Sequence, residues 1–135
     1  MSNPHKYKER NSKILGMIRR PLLNLEIFSP ISNKWFVIEN VLVDTGADSS
    51  VLPYSQGSIF VENVESGERT DVSGIVPYAR LVVYLHNLKM RVNGKEFEAP
   101  VLIAESDDVP PILGRVKAID QFLAEFDKGE ELRLR

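Results

Sequence analysis

The sequence predicts a mostly β domain with one short helix near the C-terminus. Short apolar runs of β-forming residues, separated by turn signals, recur from residue 17 onward. Asn93-Gly94, a strong two-residue hairpin signal, joins two of these runs. The best helical window, 116–124, places its apolar residues on one stripe. Strands joined by tight turns, with a single late helix, therefore indicate the fold class.

The first predicted pair of strands is a hairpin at the start of the β-rich region. Leu22–Phe28 and Trp35–Val43 are apolar runs, and the turn signal between them, residues 29–33, gives a loop of five residues. Further along the chain we predict strands at 80–85, 88–92 and 96–104, a loop at 105–111 and an edge strand around Leu132 and Leu134.

Composition excludes several classes of function. The chain has 135 residues with a net charge of -2, whereas nucleic-acid-binding proteins carry a strong basic excess. The absence of cysteine excludes a disulfide scaffold, thiolate zinc sites and thiol catalysis. Two histidines, His5 and His86, argue against a His-based triad or an all-protein zinc site. No apolar stretch approaches a membrane span. We therefore expect no metal, cofactor, nucleic acid or membrane partner.

The N-terminal segment differs in charge from the rest of the chain. The first twenty residues carry six Lys and Arg against one Glu, a local charge of +5, so that the other 115 residues sum to -7. The segment is either a solvated tail or a binding element for something acidic. It has no apolar core of a secretory signal, so we expect a cytoplasmic protein. We predict a basic N-terminal tail over residues 1–16 and one domain over residues 17–135.

One segment stands out as a candidate for catalysis. Three branched apolar residues, 41–43, end a strand and are followed at once by Asp44, so that a carboxylate lies at the mouth of a buried strand. Thr45 can donate a hydroxyl, and Gly46 permits a turn or a close backbone approach. Asp44 is then either a proton-transfer group or a turn residue that binds its own loop.

The flanks of this triplet extend the pattern to about a dozen positions, from Val41 to Pro53. With them the sequence resembles the retropepsin-like aspartic proteases, the single-domain relatives of retroviral protease. A second motif of that family, two apolar residues followed by Gly and Arg and then a short helix, matches residues 111–124. The two motifs occur in the order of the family, with 70 positions from Asp44 to Gly114. The resemblance covers about residues 21–135, and it implies the retropepsin-like acid protease fold, a mostly β domain with a closed, barrel-like sheet and one short C-terminal helix.

The resemblance implies roles for the residues of the first motif. Asp44 matches the catalytic aspartate, and Thr45 matches a threonine that hydrogen-bonds across a two-fold axis. Gly46 contributes backbone to the substrate cleft. Ala47 stands where the two-domain pepsins carry a serine, which removes one donor to the aspartate.

The resemblance also implies structural support from the second motif. Asp48 and Arg115 match a charged pair that ties the active-site loop to the helix, although a solvated Arg115 is the alternative. Gly114 is the glycine of the same motif. A flap is expected around residues 70–77, with Ser73, Gly74 and Ile75 at its tip. Family flaps often carry several adjacent glycines and this one has a single glycine, so an ordinary surface hairpin is the alternative.

The number of catalytic carboxylates predicts the oligomeric state. The chemistry needs two carboxylates that share a proton, and no second Asp-Thr-Gly or Asp-Ser-Gly occurs in the chain. A second Asp44 must then come from a second copy. The sequence therefore predicts an aspartic endopeptidase that acts on peptide or protein substrates as a homodimer, with its active site at the two-fold axis. The alternative is a dimeric peptide-binding or interaction domain of the same fold with little or no turnover.

Overall fold

The computed structural model describes residues 3–73 and 80–135 and is dominated by β-strands. The strands are β1 (His5–Lys6), β2 (Lys8–Ser12), β3 (Gly16–Arg20), β4 (Leu22–Ser29), β5 (Lys34–Val43), β6 (Ser50–Leu52), β7 (Glu68–Ser73), β8 (Arg80–Val92), β9 (Lys95–Ala104), β10 (Ile112–Leu113), β11 (Ala124–Asp127) and β12 (Glu131–Leu134). The helical elements are a single turn of α-helix, α1 (Tyr54–Gly57), and two 3₁₀ helices, Val64–Ser66 and Ile119–Gln121.

The main sheet closes on itself. Its seven strands lie in the order β4-β5-β10-β6-β9-β8-β7, and an additional pairing of β4 with β8 closes six of them into a barrel. The β5–β10 and β6–β9 pairs are parallel, and the other pairs in this sheet are antiparallel. Closure leaves β7 as an extension beside β8. The predicted mostly β, barrel-like fold is confirmed.

The barrel interior is filled by the apolar side chains that alternate along its strands. On β4, Leu25 and Ile27 are buried, whereas Glu26 between them points outward and pairs with Arg91 of β8. On β9, Val101 and Ile103 are fully buried in the same core. A period of two along each strand therefore separates the core from the surface.

The predicted hairpins are present, with one difference in strand length. The Leu22–Ser29 and Lys34–Val43 strands pair antiparallel, and Asn93 and Gly94 both have positive φ values, 51° and 80°, in the turn between β8 and β9. The two strands predicted at 80–85 and 88–92 are one continuous strand, because the pairing with β9 passes through His86 and Asn87 without a break.

The helix predicted at 116–124 is shorter than the apolar stripe suggested. It is reduced to turns and the 3₁₀ helix Ile119–Gln121. Lys117 has a φ of 56° and Ala118 has φ -124° and ψ -93°, values that interrupt an α-helix. Phe122 is extended and packs edge to face on Phe97, with 5.6 Å between the ring centroids. Of the predicted stripe, Ile119 and Phe122 pack onto the barrel, whereas Val116 and Leu123 are exposed.

The terminal segments form two smaller sheets. In the first, β12 lies between β1 and β11, so the strand around Leu132 and Leu134 is central and its prediction as an edge strand is wrong. Both leucines are buried. In the second, β2 and β3 pair only with each other among the described strands. Residues 5–6 and 8–12, which we expected in a solvated tail, are thus in strands. None of the helices in the described residues is long and apolar enough to cross a membrane.

Candidate active site

The backbone of Asp44 is held where two barrel strands meet. Val43, the last residue of β5, is buried, and its N–H donates to the carbonyl of Pro21 at 3.0 Å. The Asp44 N–H donates to the carbonyl of Leu113 in β10 at 3.0 Å. The aspartate therefore follows a strand that is anchored on both sides, and its own side chain is half-buried.

The Asp44 carboxylate is oriented by its own loop. The N–H of Gly46 donates to Asp44 Oδ1 at 2.9 Å, and the N–H of Ala47 donates to the Asp44 carbonyl at 3.2 Å. These contacts form the tight turn that the sequence allowed. They do not exclude catalysis, because a carboxylate has two oxygens and Oδ1 alone accepts from Gly46. Thr45 and Gly46 are exposed and Ala47 is half-buried.

A buried contact at Gly114 clamps the loop that follows Asp44. A Cβ atom at Gly114 would lie 2.5 Å from both the carbonyl carbon and the carbonyl oxygen of Ser49, and 3.0 Å from the carbonyl oxygen of Ala47. Only glycine permits this approach without a shift of the backbone. The N–H of Gly114 donates to Oγ of Ser50 at 3.0 Å, and the Ser50 side chain is buried.

Two further backbone hydrogen bonds complete the clamp. The N–H of Arg115 donates to the Ala47 carbonyl at 2.9 Å, and the N–H of Val116 donates to the Asp48 carbonyl at 2.9 Å. Sequence reasoning missed Ser50. A hydroxyl residue directly before the apolar pair 51–52 is a weak signal for such a contact, because nothing in the local sequence indicates which distant N–H will donate a hydrogen bond to it.

Asp48 and Arg115 form an ion pair at the surface. Arg115 Nη2 lies 2.5 Å from Asp48 Oδ1, and Arg115 Nη1 lies 3.9 Å from Asp120 Oδ2. The Arg115 and Asp48 side chains are 42% and 78% exposed, so solvent screens the pair and its contribution to stability is below about 1 kcal/mol. The backbone clamp, rather than this pair, carries most of the connection between the two motifs.

The predicted flap lies only partly within the described residues. Ser73 is the last residue of β7 and pairs in register with Arg80, the first residue of β8. Gly74 and Ile75 lie outside the described residues. Strands β7 and β8 run antiparallel up to this point. Because Gly74 and Ile75 are not among the described residues, the flap assignment of Ser73, Gly74 and Ile75 stays a prediction.

Two small grooves lie on the surface, and one of them is near Asp44 in the chain. One, of about 220 Å³, has Leu42 in its wall, two residues before Asp44, together with Arg20 and Pro110. The other, of about 270 Å³, lies between the start of β8 and the 105–106 segment. A groove of about 500 Å³ lies instead beside the β4–β5 turn, at the end of β5 opposite to Asp44. The part of the chain that the structure describes contains no group of three or more His, Asp or Glu residues arranged to hold a metal ion.

Comparison with known proteins gives a match in structure and none in sequence. No family model matches the chain, and no curated protein matches it either. A crystal structure of a retropepsin-like aspartic protease from Rickettsia conorii is similar over 99% of this chain and 94% of that chain, with a TM-score of 0.61 and 15% identity. EIAV protease, in complex with the inhibitor HBY-793, is similar over 71% of this chain and 82% of that chain, with a TM-score of 0.48 and 26% identity. The chain has the retropepsin-like fold, in agreement with the resemblance in its sequence.

Proposed function

We propose that this chain is one protomer of a homodimeric aspartic endopeptidase, in which Asp44 from each of two copies forms the catalytic pair. The observation that carries the proposal is the half-buried Asp44 carboxylate, which follows an anchored barrel strand in a retropepsin-like fold and is oriented by the Gly46 N–H. A carboxylate that is held in a fixed orientation is suited to proton transfer.

The requirement for a second copy follows from the chemistry. One carboxylate must act as base toward water while the other, protonated, acts as acid toward the scissile carbonyl. The chain supplies one Asp-Thr-Gly triplet, and this loop is exposed at Thr45 and Gly46, where a second protomer can approach. Two copies related by a two-fold axis would bring the two loops together, with Thr45 of each copy binding across the axis.

The proposed mechanism uses a water molecule held between the two carboxyl groups. The ionised Asp44 removes a proton from this water as its oxygen attacks the carbonyl carbon of the peptide. The protonated Asp44 of the partner donates to the carbonyl oxygen, and a tetrahedral gem-diol forms. A proton then passes to the amide nitrogen, the C–N bond breaks, and a carboxylic acid and an amine leave. No covalent intermediate with the enzyme forms.

The clamp at Gly114 acts on this chemistry by positioning. It holds the carbonyls of Ala47 and Asp48, and through them the turn that orients Asp44. A displacement of about 1 Å in a catalytic group can cost about two orders of magnitude in rate. Gly114 and Arg115 are therefore positioning residues in this proposal.

Cleavage of a diverse peptide library between about pH 4 and 7.5 tests the proposal. Wild type is compared with Asp44→Asn, which keeps the size and the Gly46 contact of the side chain but cannot ionise. Asp127→Asn is the matched control, because Asp127 is on β11 and pairs with Arg133 at 3.8 Å, outside the active-site loop. We expect cleavage by wild type and the control, and none by Asp44→Asn.

The alternative, a peptide-binding domain of the same fold with little or no turnover, is separated by the same samples. A dimer that binds peptides of the library without cleaving them, at any pH in that range, would favour the alternative. Cleavage by Asp44→Asn at the wild-type rate would contradict the catalytic assignment itself.

A further inference from the structure

The β2–β3 hairpin stands apart from the barrel. Its strands pair from Lys8–Arg20 to Ser12–Gly16 and belong to a two-stranded sheet of their own. An isolated two-stranded hairpin is marginally stable in water. This one is joined to the barrel at its base, where β3 is followed directly by Pro21 and β4.

The tip of this hairpin is apolar and exposed. Ile14 is 92% exposed, Leu15 is 72% exposed and Met17 is 60% exposed. The turn does not need these side chains, because Ser12 Oγ accepts from the N–H groups of residues 14 and 15 and Gly16 supplies the positive φ of 74°. Hairpin turns are usually built from polar residues and glycine. The apolar side chains at this tip are therefore not explained by the turn itself or by burial.

The base of the hairpin lies beside the strand that carries Asp44. Lys8 Nζ donates to Asn40 Oδ1 of β5 at 2.5 Å. Arg10 and Asn11 share the groove of about 220 Å³ with Leu42, two residues before Asp44. Strand β2 therefore follows this groove as far as Asn11, and the turn with its apolar side chains lies beyond it.

The charge of the hairpin is opposite to that of the rest of the chain. The hairpin, residues 8–20, has five Lys and Arg against one Glu, a charge of +4, and residues 21–135 carry -7. Four of the hairpin cations, Arg10, Lys13, Arg19 and Arg20, are exposed. The net charge of the body of a second copy is therefore opposite in sign to that of the hairpin.

We propose that the β2–β3 hairpin is an intersubunit arm, which docks its apolar tip and its cations on the acidic body of a second copy of this chain. The proposal rests on the proposed function for the place of the two-fold axis, since an arm that starts beside Leu42 can cross an axis at Asp44. The arm then buries Ile14 and Leu15, and Arg10, Lys13 and Arg19 approach carboxylates of the partner subunit.

Sedimentation equilibrium over a range of protein concentrations tests the apolar part. In the Ile14→Ser/Leu15→Ser variant we expect the dimer dissociation constant to rise at least about tenfold, since two exposed aliphatic side chains no longer become buried. Val37→Ser is the matched control, because Val37 is also exposed, 55%, but lies on β5 of the barrel. The control leaves the dissociation constant unchanged.

A second variant tests the charges without touching the apolar tip. Replacing Arg10, Lys13 and Arg19 by Gln should weaken the dimer at low salt, and the effect should shrink as salt is added. The control replaces Lys34 and Lys128, exposed cations outside the arm, by Gln. Both arm variants should keep the β-sheet circular dichroism spectrum of the wild type, so that a loss of association is distinguished from a loss of fold; their melting temperatures should fall only as far as the weaker dimer requires.

Three results would overturn the proposal. One is a dimer of unchanged affinity in both arm variants. Another is a wild type that stays monomeric at all concentrations. The third is arm-dependent binding to vesicles of anionic lipid with self-association unaffected, which would assign the arm to a membrane. Failure of the proposed function gives a different result. The dimer would still depend on the arm, but either the wild type would not cleave peptides or the Asp44→Asn variant would cleave them as the wild type does.

Discussion

Gly114→Ala is the substitution whose cost in stability and activity follows most directly from the structure. The new Cβ would meet the backbone of Ser49 at 2.5 Å, whereas ordinary carbon contacts lie at about 3.5 Å, so the gap must open by about 1 Å. Backbone atoms cannot rotate away as a side chain end can. A shift of this size takes the three clamp hydrogen bonds, now 2.9 to 3.0 Å, out of hydrogen-bonding range.

The expected cost of Gly114→Ala follows from those contacts. Overpacking and the loss of partly buried hydrogen bonds together destabilise the fold by about 2 to 4 kcal/mol. For a chain of this size the melting temperature then falls by roughly 10 °C. The turn that orients Asp44 moves with the loop, so we expect the activity of the folded fraction to fall about a hundredfold.

Urea unfolding and peptide cleavage, measured on the same preparations, check both numbers. Gly94→Ala is the control, because Gly94 has open space around it and a φ of 80°, which strains alanine by about 1 to 2 kcal/mol. The control should lose stability but keep the activity of its folded fraction. A Gly114→Ala variant with wild-type stability and activity would refute the reasoning about the clamp.

Three further predictions concern residues around the site and the N-terminal strand. Ser50→Ala leaves the Gly114 N–H without its buried partner and should lower the free energy of unfolding by about 1 to 3 kcal/mol in urea titrations. Arg115→Ala removes only exposed ion pairs, with Asp48 and Asp120, so the free energy of unfolding should change by less than about 1 kcal/mol; a larger loss would mean that these pairs outweigh the backbone clamp. Burial lowers the pKa of His5 from its usual 6.5, so the unfolded chain takes up the proton first and stability falls as pH drops below about 6.5. The melting temperature of His5→Gln should show a weaker decline between pH 7.5 and 5.5, and equal declines would contradict this assignment.

The local part of the fold could be predicted from the sequence. Asn93 and Gly94 have the positive φ values that their turn requires, and the alternation along β4 matches its burial. The 116–124 segment shows where local reasoning stops. Its apolar stripe is periodic, but Lys117 takes a left-handed conformation and Phe122 packs on Phe97, a contact between residues 25 positions apart.

Long-range pairing is the part that the sequence could not supply. Strand β6 pairs parallel with β9, and β1 pairs with β12 from the opposite end of the chain. Strands β1 and β6 have only two and three residues, and strands this short carry no strong local signal in the sequence. At the site, the motifs around Asp44 and Gly114 were recognisable, but the partner of Ser50 Oγ depends on how the two loops meet. The side-chain pair of Asp48 and Arg115 is present and is less important than the backbone contacts beside it.

The central claim, that catalysis requires one Asp44 from each of two copies, is tested most directly by mixing. A fixed amount of wild type is equilibrated with an equal amount of Asp44→Asn, under conditions in which subunits exchange, and peptide cleavage is measured. Random pairing places only part of the wild-type chains in dimers with two aspartates, so cleavage should fall to about half of the wild-type value. Cleavage that stays at the wild-type value, with mixed dimers present in sedimentation, would show that a single Asp44 is sufficient and would contradict the account.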